Sequence, residues 1–200
     1  MPEQLPIKQK KVQALEYLAK LLPILTEDLF INGECFMNFG KQTTNHGGDA
    51  QRLLVFTLGS EHFGLLLLKV KEVLGRAKIT PVPRSPIYFK GMMDLRGQVV
   101  AVIDLRERLQ TKKPENEESA IMIIELNGSP MGVIVDKIDS VIPINIDDIQ
   151  KTPEISTDID PNFISGIYHG KDQLVMIIDI ERVLTSEDLK MIAAKAKKAA

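Results

Sequence analysis

Over the middle of the chain, apolar positions either alternate with polar ones or run on in blocks of five to seven, the patterns of strands. At the two ends they recur at helical spacing. Val12, Leu15, Leu18, Leu22 and Leu25 stand three or four residues apart and form one stripe, which Pro23 ends or kinks. At the other end, Thr185 or Ser186 is placed to cap a helix. Glu187 and Asp188 suit its positive end, and Lys195, Lys197 and Lys198 suit its negative end. Its apolar positions Leu189, Ile192 and Ala193 are expected to rest on the body of the protein. From Asn32 to Asp49 the chain turns to Gly, Asn, Thr and Gln, the chemistry of a linker.

Two hairpins are predicted. Leu53-Leu54-Val55-Phe56-Thr57-Leu58 and Phe63-Gly64-Leu65-Leu66-Leu67-Leu68 flank Gly59-Ser60. The runs from Ile121 to Leu126 and from Met131 to Val135 flank Asn127-Gly128, two residues that tolerate positive φ. Between them, Lys112 to Ser119 is charged, holds Pro114 and has no periodicity, as a solvated connector would.

The strands repeat. Val102-Ile103-Asp104-Leu105 matches Ile177-Ile178-Asp179-Ile180, an offset of 75 from Asp104 to Asp179, and Gly91 matches Gly166 at the same offset. The hairpin around Gly64 matches that around Gly132 at an offset of 68, so the second copy carries seven further residues, expected within Pro143 to Asp160. Copies spanning about 53–109 and 121–184 are each roughly sixty residues, a size at which a lone core is marginal. They are expected to stabilise one another. The unbroken runs Val99–Ile103 and Leu174–Ile178 suit strands covered on both faces. Two small barrels and a single sandwich of eight to ten strands both fit. The segments are then 1–50, a helical extension and linker; 51–186, the β domain; and 187–200, a terminal helix.

Composition narrows the function. The 200 residues are 44% hydrophobic, enough for a real core, and carry 25 Lys plus Arg against 27 Asp plus Glu, a net charge of −2. That balance, with aromatics at only 5%, excludes the basic, aromatic-lined surface of a nucleic-acid binder. No apolar stretch approaches a membrane span, and Met1-Pro2-Glu3 lacks the pattern of a secretion signal, so a soluble cytoplasmic protein is predicted. With Cys35 the one cysteine, neither an internal disulfide nor a thiolate zinc site is available. His46, His62 and His169 are scattered, and Asp147-Asp148 reads as a solvated turn or cap. Asp158 and Asp160 begin like a calcium loop that Pro161-Asn162-Phe163 does not continue. No phosphate loop or nucleophile elbow is present, and the sequence implies no enzyme, no metal and no cofactor.

Repeats share what the fold needs, so their differences point beyond it. Gly91-Met92-Met93-Asp94-Leu95-Arg96-Gly97-Gln98 faces Gly166-Ile167-Tyr168-His169-Gly170-Lys171-Asp172-Gln173, and Asp94-Leu95-Arg96-Gly97 has no counterpart. Two readings of Arg96 follow from the residues. It is a structural partner of Asp94 or Asp104, or a fixed cation offered to another molecule.

These residues carry a resemblance. Leu54-Val55-Phe56-Thr57-Leu58-Gly59, Phe63-Gly64, Leu68-Lys69-Val70-Lys71-Glu72-Val73, Pro81-Val82-Pro83, Phe89-Lys90-Gly91, Leu95-Arg96-Gly97 and Val102-Ile103-Asp104-Leu105 follow in order. Gly132-Val133-Ile134-Val135-Asp136 and Ile177-Ile178-Asp179-Ile180 continue the match in the second copy. Together they resemble the CheW-like family, the coupling adaptors of bacterial chemotaxis arrays, over about two-thirds of the chain. The resemblance implies a mainly β fold: two SH3-like β-barrel subdomains packed on a shared core, with short helices. It implies a non-enzymatic adaptor that binds the regulatory domain of a chemotaxis histidine kinase and the cytoplasmic tip of chemoreceptors, with neither nucleic acid nor direct membrane insertion. It places Val70 and Glu72 on the receptor-facing surface, and it assigns coupling to Gly91, Asp94, Arg96 and Gly97, moving the functional reading of Arg96 ahead. The family usually has Asn where Asp94 stands, and an added carboxylate there is expected to tune or mask Arg96. Proline is common in the family where Ala101 stands. A small-molecule sensor using the groove between the barrels is the alternative, and it lacks convergent polar groups.

Overall fold

The computed structural model describes residues 37–38, 51–75, 77–111, 119–150, 159–170 and 173–199. The helix expected over Val12–Leu25, most of the linker after it, Cys35 and residues 112–118 of the connector lie outside the described residues.

The first copy forms β2 (Gln51–Leu58), β3 (Glu61–Leu66), β4 (Val70–Leu74), β5 (Phe89–Leu95), β6 (Gln98–Asp104) and the short helix α1 (Leu105–Leu109). The second forms β7 (Ala120–Leu126), β8 (Ser129–Val135), β9 (Lys137–Ile144), β11 (Ile164–His169), β12 (Leu174–Ile178) and α2 (Ile180–Val183). Two short strands, β1 (Met37–Asn38) and β10 (Ile149–Gln150), are additions, and α3 (Ser186–Ala199) closes the chain. Part of the extra length of the second copy is β10 with the 3-10 turn Ile146–Asp148 before it. Asp104 and Asp179, matched in the repeat, do one job: each ends a strand and caps the following helix, accepting the N–H of Arg106 and of Glu181.

The two copies and the two sheets do not coincide. One sheet runs β1-β4-β7-β8-β6-β5 and the other β10-β11-β12-β3-β2-β9. Exchanging each strand for its repeat counterpart turns β4-β7-β8-β6-β5 into β9-β2-β3-β12-β11, so the arrangement is pseudo-twofold. The hairpin of each copy is inserted into the sheet of the other. The seams are two parallel pairings, Ala101↔Met131 to Asp104↔Ile134 and Val175↔His62 to Ile177↔Gly64, and two antiparallel ones, β4 with β7 and β2 with β9. Strand exchange therefore supplies the mutual support that sixty-residue units require.

Three apolar clusters follow from this. Leu74, Met93, Val100, Val102, Ile121, Ile123 and Ile134 fill the concave side of the first sheet. Leu53, Val55, Ile144, Val175 and Ile177 fill that of the second. The opposite faces, with Phe56, Phe63, Ile103, Met122, Ile124 and Ile178, meet in one large shared core. Along β6, Val100 and Val102 face one cluster while Ala101 and Ile103 face another, which is why Val99–Ile103 does not alternate. Ile192 of α3 is buried in the shared core, with Leu189 and Met191 half-buried against it.

Candidate functional site

The β5–β6 hairpin closes with Leu95 opposite Gln98, leaving Arg96 (φ 54°) and Gly97 (φ 85°) as a two-residue loop. Positive φ at both positions is the I′ arrangement that suits the twist of a hairpin. The carboxylate of Asp94 accepts the Gly97 N–H at 2.8 Å and fixes the loop. The β7–β8 turn, Asn127-Gly128, takes the same path with φ of 50° and 74°, using residue types that favour it. Arginine is not one of them, and the left-handed region costs such a side chain on the order of 1 kcal/mol. Local backbone preference does not account for Arg96, and its guanidinium does have an assignment.

That guanidinium reaches β4, where Nη2 donates to Glu72 Oε2 at 2.9 Å. The two ends differ in setting: the Arg96 side chain keeps 58% of its surface and Glu72 only 8%. Apart from β1, strands β4 and β5 are the opposite ends of the first sheet, so the contact shows the sheet curled until its ends meet. The ion pair spans the mouth of this barrel. One charge is held in the wall and the other is presented at the rim.

The remaining sequence-predicted residues sort around this pair. Val70 is 3% exposed and belongs to the shared core rather than to a receptor-facing surface, because the strand turns its alternate residue, Lys71, outward to Glu125 at 2.6 Å. Glu72 is likewise buried, with its carboxylate engaged by Arg96. Gly91 has φ 137°, and a Cβ there would lie 2.0 Å from the Thr80 carbonyl oxygen. Thr80 and Met92 exchange both backbone hydrogen bonds across this point. A glycine is required so that the loop can lie on β5, and its match Gly166 is also at a bulge in its strand. Gly91 thus positions the hairpin. Asp94 binds its own turn, and Asp104 binds Arg106 through Nε and Nη2, both at 2.8 Å. The structural reading of Arg96 as a partner of either aspartate is therefore replaced by Glu72. The hydrogen bond of the Asp94 carboxylate goes to the Gly97 N–H and not to Arg96, and an asparagine oxygen could accept that same bond.

Two further ionic centres escaped the sequence reading. Arg106 joins Asp104 to Asp136 (2.8 Å), whose other oxygen accepts the Gly59 N–H at 2.7 Å, tying α1 to the first hairpin turn. Hydrogen bonding to Asp104, set against desolvation, raises the Arg106 pKa further above its ordinary value. Arg108 lies 5.3 Å from the ring centres of both Tyr88 and Phe163 and donates to the Val183 carbonyl at 2.7 Å. The recurring Asp104 and Asp179 were the signal available for the first centre. Nothing local signalled the second.

Other candidates have plain roles. Asp139 accepts from Thr57 at 2.6 Å and lies 3.3 Å from His62, with Lys137 at 3.2 Å, a polar patch with the carboxylate and not the imidazole at its centre. Asp147 and Asp148 are exposed in a turn, and Asp160 caps the turn at Pro161. Among the described residues no group of three or more His, Cys, Asp or Glu is placed to hold a metal. A groove of about 360 Å³ lies beside Leu68, Lys69, Lys71, Glu125 and Glu181. Its charges pair with each other, Lys69 with Glu181 and Lys71 with Glu125, leaving little for a small-molecule ligand to satisfy. No helix of the described residues is long and apolar enough to cross a membrane.

Comparison with known proteins gives one direction. Residues 52–188 match the model of the CheW-like domain. The chemotaxis protein CheW of Bacillus subtilis is 33% identical over 139 residues, 68% of this chain and 88% of that protein. CheW of Klebsiella aerogenes is 29% identical over 148 residues, 74% of this chain and 89% of its own length. The crystal structure of the scaffolding protein TtCheW from Thermoanaerobacter tengcongensis superposes with a TM-score of 0.66 at 33% identity, covering 74% of this chain and 96% of that one. Its agreement extends to the mainly β architecture of two sheets around a shared core.

Proposed function

The chain belongs to the CheW-like family, and we propose that it is a non-enzymatic chemotaxis adaptor that couples the cytoplasmic tips of chemoreceptors to the regulatory domain of a histidine kinase in the cytoplasm. The observation that carries this reading is the Arg96–Glu72 pair at the barrel mouth. A guanidinium is kept in a backbone conformation that suits asparagine or glycine, in a turn, Asp94-Leu95-Arg96-Gly97, that has no counterpart in the second repeat. Its planar fork of donors is suited to a partner's carboxylates and backbone carbonyls. Gly91, Asp94 and Gly97 set the turn, Glu72 sets the guanidinium, and Val70, in the same strand as Glu72, anchors that strand in the shared core. Scaffolding needs no reacting group, only surfaces held in fixed relation, and the exchanged hairpins make the two barrels one body.

The test is reconstitution. Chemoreceptor fragments assembled on vesicles, the kinase and this chain are combined, and kinase autophosphorylation is measured. Activation that requires all three supports the proposal. Activation that is the same with and without the chain contradicts it.

A further inference from the structure

The pseudo-twofold relation gives the ionic centre of Arg106 a counterpart, and the two are not alike. At the repeat offset of 68, Thr57 matches Glu125, Gly59 matches Asn127, Leu68 matches Asp136 and Lys71 matches Asp139; at 75, Arg106 matches Glu181. The match is spatial as well, since Thr57 meets Asp139 at 2.6 Å and Glu125 meets Lys71 at 2.6 Å. One end is sealed. Asp136, 7% exposed, accepts the Gly59 N–H with one oxygen and Arg106 with the other. At the other end both halves of that clasp are gone. Leu68 stands in the place of Asp136 with 79% of its surface exposed, and Glu181 stands in the place of Arg106 and pairs with Lys69. The result is the groove of about 360 Å³ beside Leu68, Lys69, Lys71, Glu125, Asn127 and Glu181. Among the described residues nothing accepts the N–H of Asn127, the counterpart of the Gly59 donor.

We infer that this groove is a second contact surface, apart from the Arg96 turn, and that it receives a segment of a partner protein carrying a carboxylate next to an aliphatic side chain. The sealed end shows the chemistry. The partner's carboxylate takes the place that Asp136 fills there and accepts the Asn127 N–H, a charge-assisted bond. The aliphatic group covers Leu68, whose exposure serves no packing within the chain. Lys69 and Lys71 supply the complementary charge. Each is roughly half exposed, and an ammonium has three donors, so pairing with Glu181 or Glu125 leaves donors for the incoming carboxylate. A cationic segment brings no acceptor and leaves the Asn127 N–H unmet. The inference does not depend on the coupling role of Arg96.

The test follows the Asn127 amide of the full chain by NMR while a short peptide, Gly-Asp-Leu-Gly capped at both ends, is added to about 10 mM, the range in which so small a contact binds. A saturable shift of that amide is expected. Peptides with Asn in place of Asp, or Ala in place of Leu, should bind at least roughly fivefold more weakly, the difference between a charged and a neutral acceptor or the loss of most of an aliphatic contact. The same titration is run on Leu68→Asp, which returns to this end the carboxylate of the sealed one. There the Asn127 amide should move downfield without peptide, and added peptide should no longer shift it. Leu68 is exposed, so the core is untouched, and the comparison of peptides on the unaltered chain stands whether or not the variant folds. No shift at Asn127, or equal binding of the Asn peptide, overturns the carboxylate site. Equal binding of the Ala peptide overturns the part given to Leu68. A peptide shift that persists in a folded Leu68→Asp chain places the peptide elsewhere and overturns the groove. An Asn127 shift that follows protein concentration alone makes the occupant a second copy of the chain and overturns the inference.

Discussion

Tyr88 donates its hydroxyl to Asp188, one hundred residues further along the chain. The bond joins the loop before β5 to the first turn of α3. Asp188 also accepts the Thr185 N–H at 2.9 Å while its own N–H donates to the Thr185 hydroxyl at 3.1 Å, a reciprocal cap at the start of that helix. Arg108 Nη2 lies 3.7 Å from the same carboxylate. Burial works against ionisation of Asp188, but the bonds from Tyr88 and Thr185 and the Arg108 charge outweigh it and hold its pKa below the ordinary value. Burial, then the bond to Asp188 and its charge, push Tyr88 up to about 12 from 10.0, with Arg108 opposing.

A raised tyrosine pKa stabilises the fold fully below its unfolded value and loses that contribution as the pH climbs through the folded one. Tyr88→Phe is therefore expected to cost about 1–2 kcal/mol near neutral pH, where a bond to a charged acceptor is lost. The gap in melting temperature between the two chains should close between pH 10 and about 12. At the acid end the sign reverses. The Asp188 contribution is present above the ordinary carboxylate value of 3.8 and drains away below it. Parallel melting curves with a constant gap across the alkaline window would contradict this assignment.

Gly91→Ala should be severe. The added carbon meets a backbone oxygen at 2.0 Å, and φ 137° is closed to other residues. About 3 kcal/mol of stability is expected to go in denaturant titration, with loss of protection at Thr80 and Met92. A loss below about 1 kcal/mol would show that the loop yields easily and that the glycine has another purpose.

Asp94→Asn should be nearly silent. The amide oxygen accepts from Gly97 as the carboxylate does, so stability should stay within about 0.5 kcal/mol, and coupling should be unchanged. Asp94→Ala removes the acceptor and should cost about 1 kcal/mol. Stronger coupling in the asparagine variant would mean that the Asp94 charge restrains Arg96 at a distance.

Much of this was legible in the residues, because each legible feature had a local cause. Asn127-Gly128 announces its turn, the unbroken run Val99–Ile103 announces a strand buried on both faces from Val100 on, Val99 itself being exposed, and Thr185 with Asp188 announces a helix start. The repeat revealed two units of one design. It was silent on the exchange of hairpins, since a strand's composition does not record which of two similar sheets it joins. The mismatch between the repeats singled out Arg96, yet Glu72 as its partner lies 24 residues away and is brought near only by closure of the barrel. Val70 was placed on a surface by the family resemblance and not by the local pattern. In fact Lys69 and Lys71 take the outward positions, and Val70 alternates inward. The cluster around Arg108 gathers Tyr88, Phe163, Val183 and Asp188 from four separate elements, a constellation that no spacing encodes.

The central claim, that Arg96 is held by Glu72 and displayed for a partner, is tested most directly by measuring coupling and stability together on Arg96→Ala and Arg96→Lys. With 58% of its side chain exposed, Arg96 contributes to stability as a screened pair, and its removal admits water to Glu72, so about 1 kcal/mol is expected to be lost. In the reconstituted assay, receptor-dependent kinase activation should fall at least roughly tenfold for alanine, the loss of one well-placed charged contact. Lysine, which keeps the charge but not the planar fork, should fall part of the way. A large drop in melting temperature, with normal activation by the fraction that remains folded, would contradict the claim and make the pair a structural clasp alone.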